Sequence, residues 1–242
     1  MTIGLGLGIT ASGYVVPAAA GRTAKTITAF NQAQVDTAQS KFGGASFLGD
    51  GTGDYLTVAY DNDFLFGAET NSWTIEFFMR SASFAAIQVA ISNRVGGAGA
   101  GQFWCEITTG AKMYWAIYNS VGTPTYVNLA LAGTAFSTNT WYHVALVNNG
   151  GTAKMYIDGT QVGANATLSG TYGSSTRSVY VAGLGGAYNF NGHLDEIRIS
   201  TIARYTGSFT PTTSAFVNDS DTILLIHADG TDGSTTFTDD NS

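Results

Sequence analysis

The chain has 242 residues, with 10 Lys and Arg against 17 Asp and Glu, for a formal net charge of −7. Hydrophobic residues make up 44% and aromatic residues 12%, enough for a packed core and unlike a disordered chain. Charged residues reach only 11%, and the ten basic ones are scattered, with no Lys/Arg stripe to neutralise phosphates, which excludes nucleic acid as an expected partner.

Residues 1–24 form a Gly/Ala-rich segment with an apolar run, IGLGLGI, at 3–9. The first basic residue is Arg22, so the basic stretch that opens a secretory leader is missing and no export signal is expected. The segment reads as an extended arm that docks on another subunit; a disordered tail and a first core strand are the other readings. No stretch approaches the ~18 apolar residues of a membrane span, so membrane insertion is not expected. Residues 31–41, NQAQVDTAQSK, are the one helix candidate, polar on all sides and good for a turn or two.

Beyond that point apolar residues alternate with period two between Gly, Asn, Asp and Thr breaks. Strands are predicted near 54–60, 72–80, 86–92, 102–108, 112–118, 125–131, 140–148, 152–157, 177–182, 193–199 and 221–228. Trp73, Ile75, Phe77 and Met79 share one face; so do Met113, Trp115 and Ile117, with Tyr114, Ala116 and Tyr118 opposite. Asp158-Gly159 is the strongest hairpin signal, because both residues accept the positive φ of a type I′ turn. Short strands with no helices between them predict an all-β fold, an antiparallel two-sheet sandwich or barrel. The expected organisation is an arm at 1–24, a sandwich at 25–230 and a solvated polar, acidic tail at 231–242.

Cys105 is the only cysteine and reads as a small buried apolar residue. His143, His193 and His227 lack zinc-ligand spacing. Neither a nucleophile elbow nor a phosphate loop is present. Asp195 and Glu196 are adjacent, so on a regular strand they point to opposite faces; a structural role is expected, pairing Arg198 or capping a turn.

The order of motifs adds to this. SKFGGASFLGDGTGDYLTV at 40–58 is followed by SWTIEFFMR at 72–80, WYHVALVNNGGTAKMYIDGTQVG at 141–163 and GHLDEIRIS at 192–200. This succession resembles the laminin G-like domain of the concanavalin A-like lectin/glucanase superfamily. With ARYTGSFTPTTSAF at 203–216 and DTILLIHADGTDGSTTFTD at 221–239, it is most similar to the type found in bacteriophage tail and decoration proteins. The resemblance implies a concanavalin A-like jelly-roll sandwich on the virion surface, made in the host cytoplasm. The partners would be other virion proteins, further copies of itself and a host surface glycan. A free carbohydrate-binding module, calcium-dependent or not, is the alternative; a glycan-degrading enzyme is the third reading.

Glycosidases of this fold need two carboxylates on one face, and none of the four glutamates forms such a pattern, so no catalytic residue is expected. No cofactor is required. Calcium is the cation that the resemblance brings to Asp61 and Asp63 in YDNDF, with Asx-turn chemistry as the alternative. Tyr114, Tyr118 and Tyr126 in the middle strands, and Tyr172 and Tyr188 in Gly-rich loops, are the candidates for stacking on sugar, with packing or subunit contact as the alternative at each.

Overall fold

The computed structural model describes residues 22–94, 99–172 and 177–241. The expected arm lies almost wholly outside them. Among the described residues the one helical element is a 3-10 turn at Asn62–Phe64; the rest is strand and loop. Two antiparallel sheets face each other. The first has seven strands in the order β1 (Ile27–Phe30), β4 (Tyr55–Val58), β15 (Val179–Val181), β7 (Gln88–Ser92), β8 (Phe103–Ile107), β9 (Met113–Tyr118) and β10 (Pro124–Val127). The second has eight: β13 (Thr160–Thr167), β12 (Thr152–Ile157), β11 (Tyr142–Asn149), β6 (Trp73–Ser81), β16 (Asn191–Ser200), β3 (Ser46–Asp50) and β2 (Gln34–Asp36), with β17 (Thr222–Ile226) paired to the far half of β16. A two-stranded ribbon, β5 (Gly67–Ala68) with β14 (Thr171–Tyr172), completes the set. The all-β sandwich is as the alternation predicts. Residues 31–41 form no helix; β2 runs through them, because Val35 is drawn into the core.

Alternation explains the core. Trp73, Ile75, Phe77 and Met79 of β6 meet Phe103, Cys105, Trp115 and Ile117 of the opposite sheet in one cluster. Phe77 and Trp115 lie 6.4 Å apart between ring centroids. The β12–β13 hairpin turns at Asp158 (φ 47°) and Gly159 (φ 74°), the positive pair that a two-residue turn demands. A Cβ at Gly159 would strike the Phe209 carbonyl, so only glycine fits there.

The outer face of the eight-stranded sheet is covered by the chain itself. Residues 201–220 lie across β6, β11 and β16, with Phe216 over Phe78, and Tyr205 and Phe209 over Tyr156. Beneath them Glu76 is fully buried. It accepts from Arg198 Nε at 2.9 Å and Tyr205 Oη at 2.8 Å, and lies 3.1 Å from His143 Nε2. Burial opposes its charge, yet His143, Arg198 and Tyr205 together hold the Glu76 carboxyl below its usual range. Arg204 then pins the segment through a two-pronged pair with Asp219 at 2.9 and 2.8 Å.

Strand β16 corrects the expectation that Asp195 and Glu196 point apart. A β-bulge sits between Asp195 and Arg198, and Glu196 is left-handed at φ 52°, so regular alternation fails there. Asp195 accepts from the backbone N–H groups of Lys41 and Phe42 at 2.7 and 3.1 Å. Glu196 accepts from Phe216 N at 2.6 Å and lies 2.7 Å from His227 Nδ1. Both carboxylates anchor loops, as a structural role requires, but Arg198 pairs with Glu76.

The expected solvated tail is only partly solvated: residues 231–236 are largely exposed, but 237–241 dock on the sandwich. Phe237 packs 5.9 Å from Phe47, and Asp239 and Asn241 are buried. Asp239 accepts from the backbone N–H groups of Lys25 and Leu225 at 2.8 and 3.0 Å. The polar composition hides this docking, because the carboxylate satisfies strand-edge donors rather than water.

Candidate functional site

The outer face of the seven-stranded sheet is built differently. Phe103, Cys105 and Ile107 point into the core, so the pleat turns Trp104 and Glu106 outward. On β9 the same phase turns Tyr114, Ala116 and Tyr118 outward, and on β10 it turns Pro124 and Tyr126. Cross-strand register sets Trp104 beside Ala116, Glu106 beside Tyr114, and Ala116 beside Tyr126. The result is an aromatic cluster: Trp104 stacks on Tyr118 at 5.4 Å, and Tyr114 lies 6.2 Å from Tyr126.

Polar groups fix the tips of these rings. Tyr114 Oη donates to Glu106 Oε2 at 2.7 Å, and Tyr118 and Tyr126 hydroxyls lie 3.4 Å apart. Burial and the neighbouring Glu106 carboxylate push the Tyr114 phenol well up, so it stays a neutral donor. The Arg94 guanidinium lies 4.3 Å from the centre of the Trp104 ring. Tyr126 is 37% exposed, and Tyr114 is half-buried, whereas Trp104 and Tyr118 form the floor. A second aromatic group, Phe30 stacked on Tyr55 at 4.6 Å with Tyr180 beside it, lies toward the opposite edge of the sheet. Glu106 is the only carboxylate in the strands of this sheet.

The structure thus unites three of the predicted tyrosines, Tyr114, Tyr118 and Tyr126. It does not bring the other two to them. Tyr172 is buried at 1% exposure, its ring in the core and its hydroxyl accepting from Ser169 N at 2.9 Å. Pairing of β14 with β5 closes it off from any sugar, so it leaves the set of candidate contacts. Tyr188 is exposed, but it stands in the loop after β15 beside Ile87. Sequence reasoning missed Trp104, Glu106 and Arg94 as members of the cluster. The signal for the first two was present: Phe103, Cys105 and Ile107 in alternation set the phase of β8.

Asp61 and Asp63 stand elsewhere. Asp61 caps the 3-10 turn by accepting from Asp63 N at 2.9 Å. The Lys25 ammonium lies 2.7 Å from Asp63 and 3.8 Å from Asp61. The pair therefore already faces a cation of its own chain, together with turn chemistry. No group of three or more His, Cys, Asp or Glu side chains arranged to hold a metal occurs among the described residues.

Two packed antiparallel sheets, with one outer face sealed and the other aromatic, define a lectin-like sandwich. The family model for the concanavalin A-like lectin/glucanases superfamily, Laminin_G_3, matches residues 50–208, and the chain belongs to that family. No curated protein matches the sequence. Among solved structures, the binding domain of Paraclostridial Mosquitocidal Protein 1 is 14% identical over 75% of this chain and 45% of its own, with a TM-score of 0.56. The binding domain of botulinum neurotoxin serotype D is 17% identical over 75% of this chain and 44% of its own, with a TM-score of 0.55. Domain 4 of AbnA, an extracellular arabinanase of Geobacillus stearothermophilus solved with arabinotriose, is 14% identical over 78% of this chain and 85% of its own, with a TM-score of 0.52. The chain spans less than half the length of the two toxin domains, and at these identities the likeness is one of fold.

Proposed function

We propose that this chain is a non-enzymatic, lectin-like surface protein of a bacteriophage particle, in capsid decoration or tail, that holds host glycans on the outer face of its seven-stranded sheet. The observation that carries the glycan reading is the cluster of Trp104, Tyr114, Tyr118 and Tyr126. The exposed Tyr126 ring and the half-buried Tyr114 ring, set over the buried Trp104 and Tyr118, offer apolar surface for the C–H faces of sugars and hydroxyl tips for their hydroxyls. Such a platform needs no metal. AbnA domain 4, with arabinotriose bound, and the toxin binding domains lend support as ligand-holding uses of the same fold. Hydrolysis needs two carboxylates about 5–9.5 Å apart, and the strands of this sheet supply only Glu106. The virion setting rests on the phage-type order of sequence motifs, and a self-associated array suits a particle lattice.

Affinity electrophoresis through a panel of bacterial surface polysaccharides tests the glycan reading. Retardation of the protein by at least one polysaccharide, lost in Tyr126→Ala and Trp104→Ala, is expected. A protein that none retards, or variants retarded as strongly as the parent, would overturn it. Mass spectrometry of purified particles tests the setting: absence of the chain from particles leaves a free lectin-like module.

A further inference from the structure

A groove of about 480 Å³ opens where the segment crossing from β10 to β11 passes the β12–β13 hairpin. Its volume falls in the range of small-ligand sites. One wall is the segment 132–136, the other is formed by residues 157–163, and the floor holds Phe136 and Tyr142, edge to face at 4.9 Å.

The wall is held against strain. Asn128 and Leu131 sit at φ 60° and 54°, a left-handed backbone that a leucine rarely adopts. Asn128 donates to Met113 O at 2.9 Å and accepts from Ala132 N at 2.8 Å, while Lys112 Nζ donates to Leu131 O at 2.9 Å. Phe136 N donates to Ala111 O at 2.7 Å. A bulky residue kept in this backbone region, tied down from several sides, marks a shaped wall rather than a slack loop.

The rim supplies acceptors. Asp158 uses one oxygen to accept from His143 N at 2.8 Å, and its other oxygen has no partner among the described residues. Gln161 spends its amide N–H groups on Gly163 O at 3.3 Å and Asn165 Oδ1 at 2.9 Å, leaving its oxygen uncommitted. The Tyr142 hydroxyl accepts from Ser137 N at 2.9 Å and keeps its own proton to donate. Asp158 is the only charged residue that lines the groove.

We propose that this groove is a second glycan site, which takes one uncharged pyranose ring. An aromatic floor suits the C–H face of the sugar, the Asp158 and Gln161 oxygens suit its hydroxyl donors, and the lone carboxylate repels uronic and sialic acids. The assignment rests on groove chemistry alone and stands or falls apart from the aromatic face.

Titration of the 15N-labelled chain with the methyl glycosides of glucose, galactose, mannose, N-acetylglucosamine and glucuronic acid tests it. At least one neutral glycoside is expected to shift the Thr160 and Gln161 amides saturably, and the glucuronide to shift none. Ala135→Trp, at an exposed position of the wall, abolishes the shifts. Asp158→Asn keeps the turn and weakens binding by about tenfold. Tyr126→Ala leaves the titration unchanged, which separates this site from the aromatic face. Silence of those amides with every neutral glycoside, or unchanged affinity in Ala135→Trp, would overturn the assignment even where polysaccharide binding persists.

Discussion

The two sheets bury their inner faces alike and treat their outer faces in opposite ways. The eight-stranded sheet turns Glu76, Arg198 and His143 outward, then seals them under residues 201–220. The seven-stranded sheet turns Trp104, Tyr114, Tyr118 and Tyr126 outward and leaves Tyr126 and Tyr114 in contact with water. Charge drawn inward is matched with charge and serves stability; neutral rings left at the surface suit a ligand. The arrangement separates the part of the molecule that must hold from the part that must bind.

Breaking the sealed side should cost the most. Glu76→Gln leaves Arg198 and His143 without their buried carboxylate and should destabilise the fold by about 3–5 kcal/mol in chemical denaturation. A loss below 1 kcal/mol would mean that residues 201–220 are held by their aromatic contacts alone. The acidic anchors on the same side give a pH dependence. Burial raises the Asp195 carboxyl to about 7, so between roughly pH 4 and 7 the folded state holds a proton that the unfolded chain releases, and stability falls as pH rises. Glu196 holds the His227 imidazole above its usual range, so its contribution is present in acid and is also lost as pH rises. Asp219, held at about 2 by Arg204 and Thr222 against burial, stays ionised throughout this window. Asp195 alone should make the fold more stable at pH 5.5 than at pH 8 by roughly 2 kcal/mol, opposed in part by His193, whose imidazole burial holds below its usual range. Asp195→Asn should remove the Asp195 share of that slope in thermal denaturation.

The open side should respond in the reverse manner. Tyr126→Ala should reduce polysaccharide affinity about tenfold while shifting stability by less than 1 kcal/mol. Phe30→Ser, at the 39%-exposed ring stacked on Tyr55, should likewise change stability little, by about 0.5–1 kcal/mol. If Phe30→Ser also weakens binding of long glycans but not short ones, the platform extends across the sheet.

Much of this contrast is legible in the sequence. Period-two alternation places Trp73 and Trp115 inside and Tyr114 and Tyr118 outside, and Asp158-Gly159 announces its hairpin. What stays hidden is tertiary. The bulge at Glu196 has no local signature, because a left-handed glutamate is imposed by the pairing of β16 with β6. Tyr172 is buried by a two-residue ribbon too short to read. Asp239 looks like tail chemistry until the unpaired N–H groups of Lys25 and Leu225 are seen to need it. The strained groove wall around Leu131 lies in a stretch without period, where only the packed hairpin gives the residues their places.

The central claim is that the aromatic face, and not the sealed one, meets glycan. Amide chemical-shift mapping with a polysaccharide fragment that retards the protein tests it most directly. The account predicts saturable shifts along β8, β9 and β10, with Trp104, Tyr114 and Tyr126 foremost and none across residues 201–220. Shifts centred on residues 201–220, with β8 to β10 silent, would contradict it.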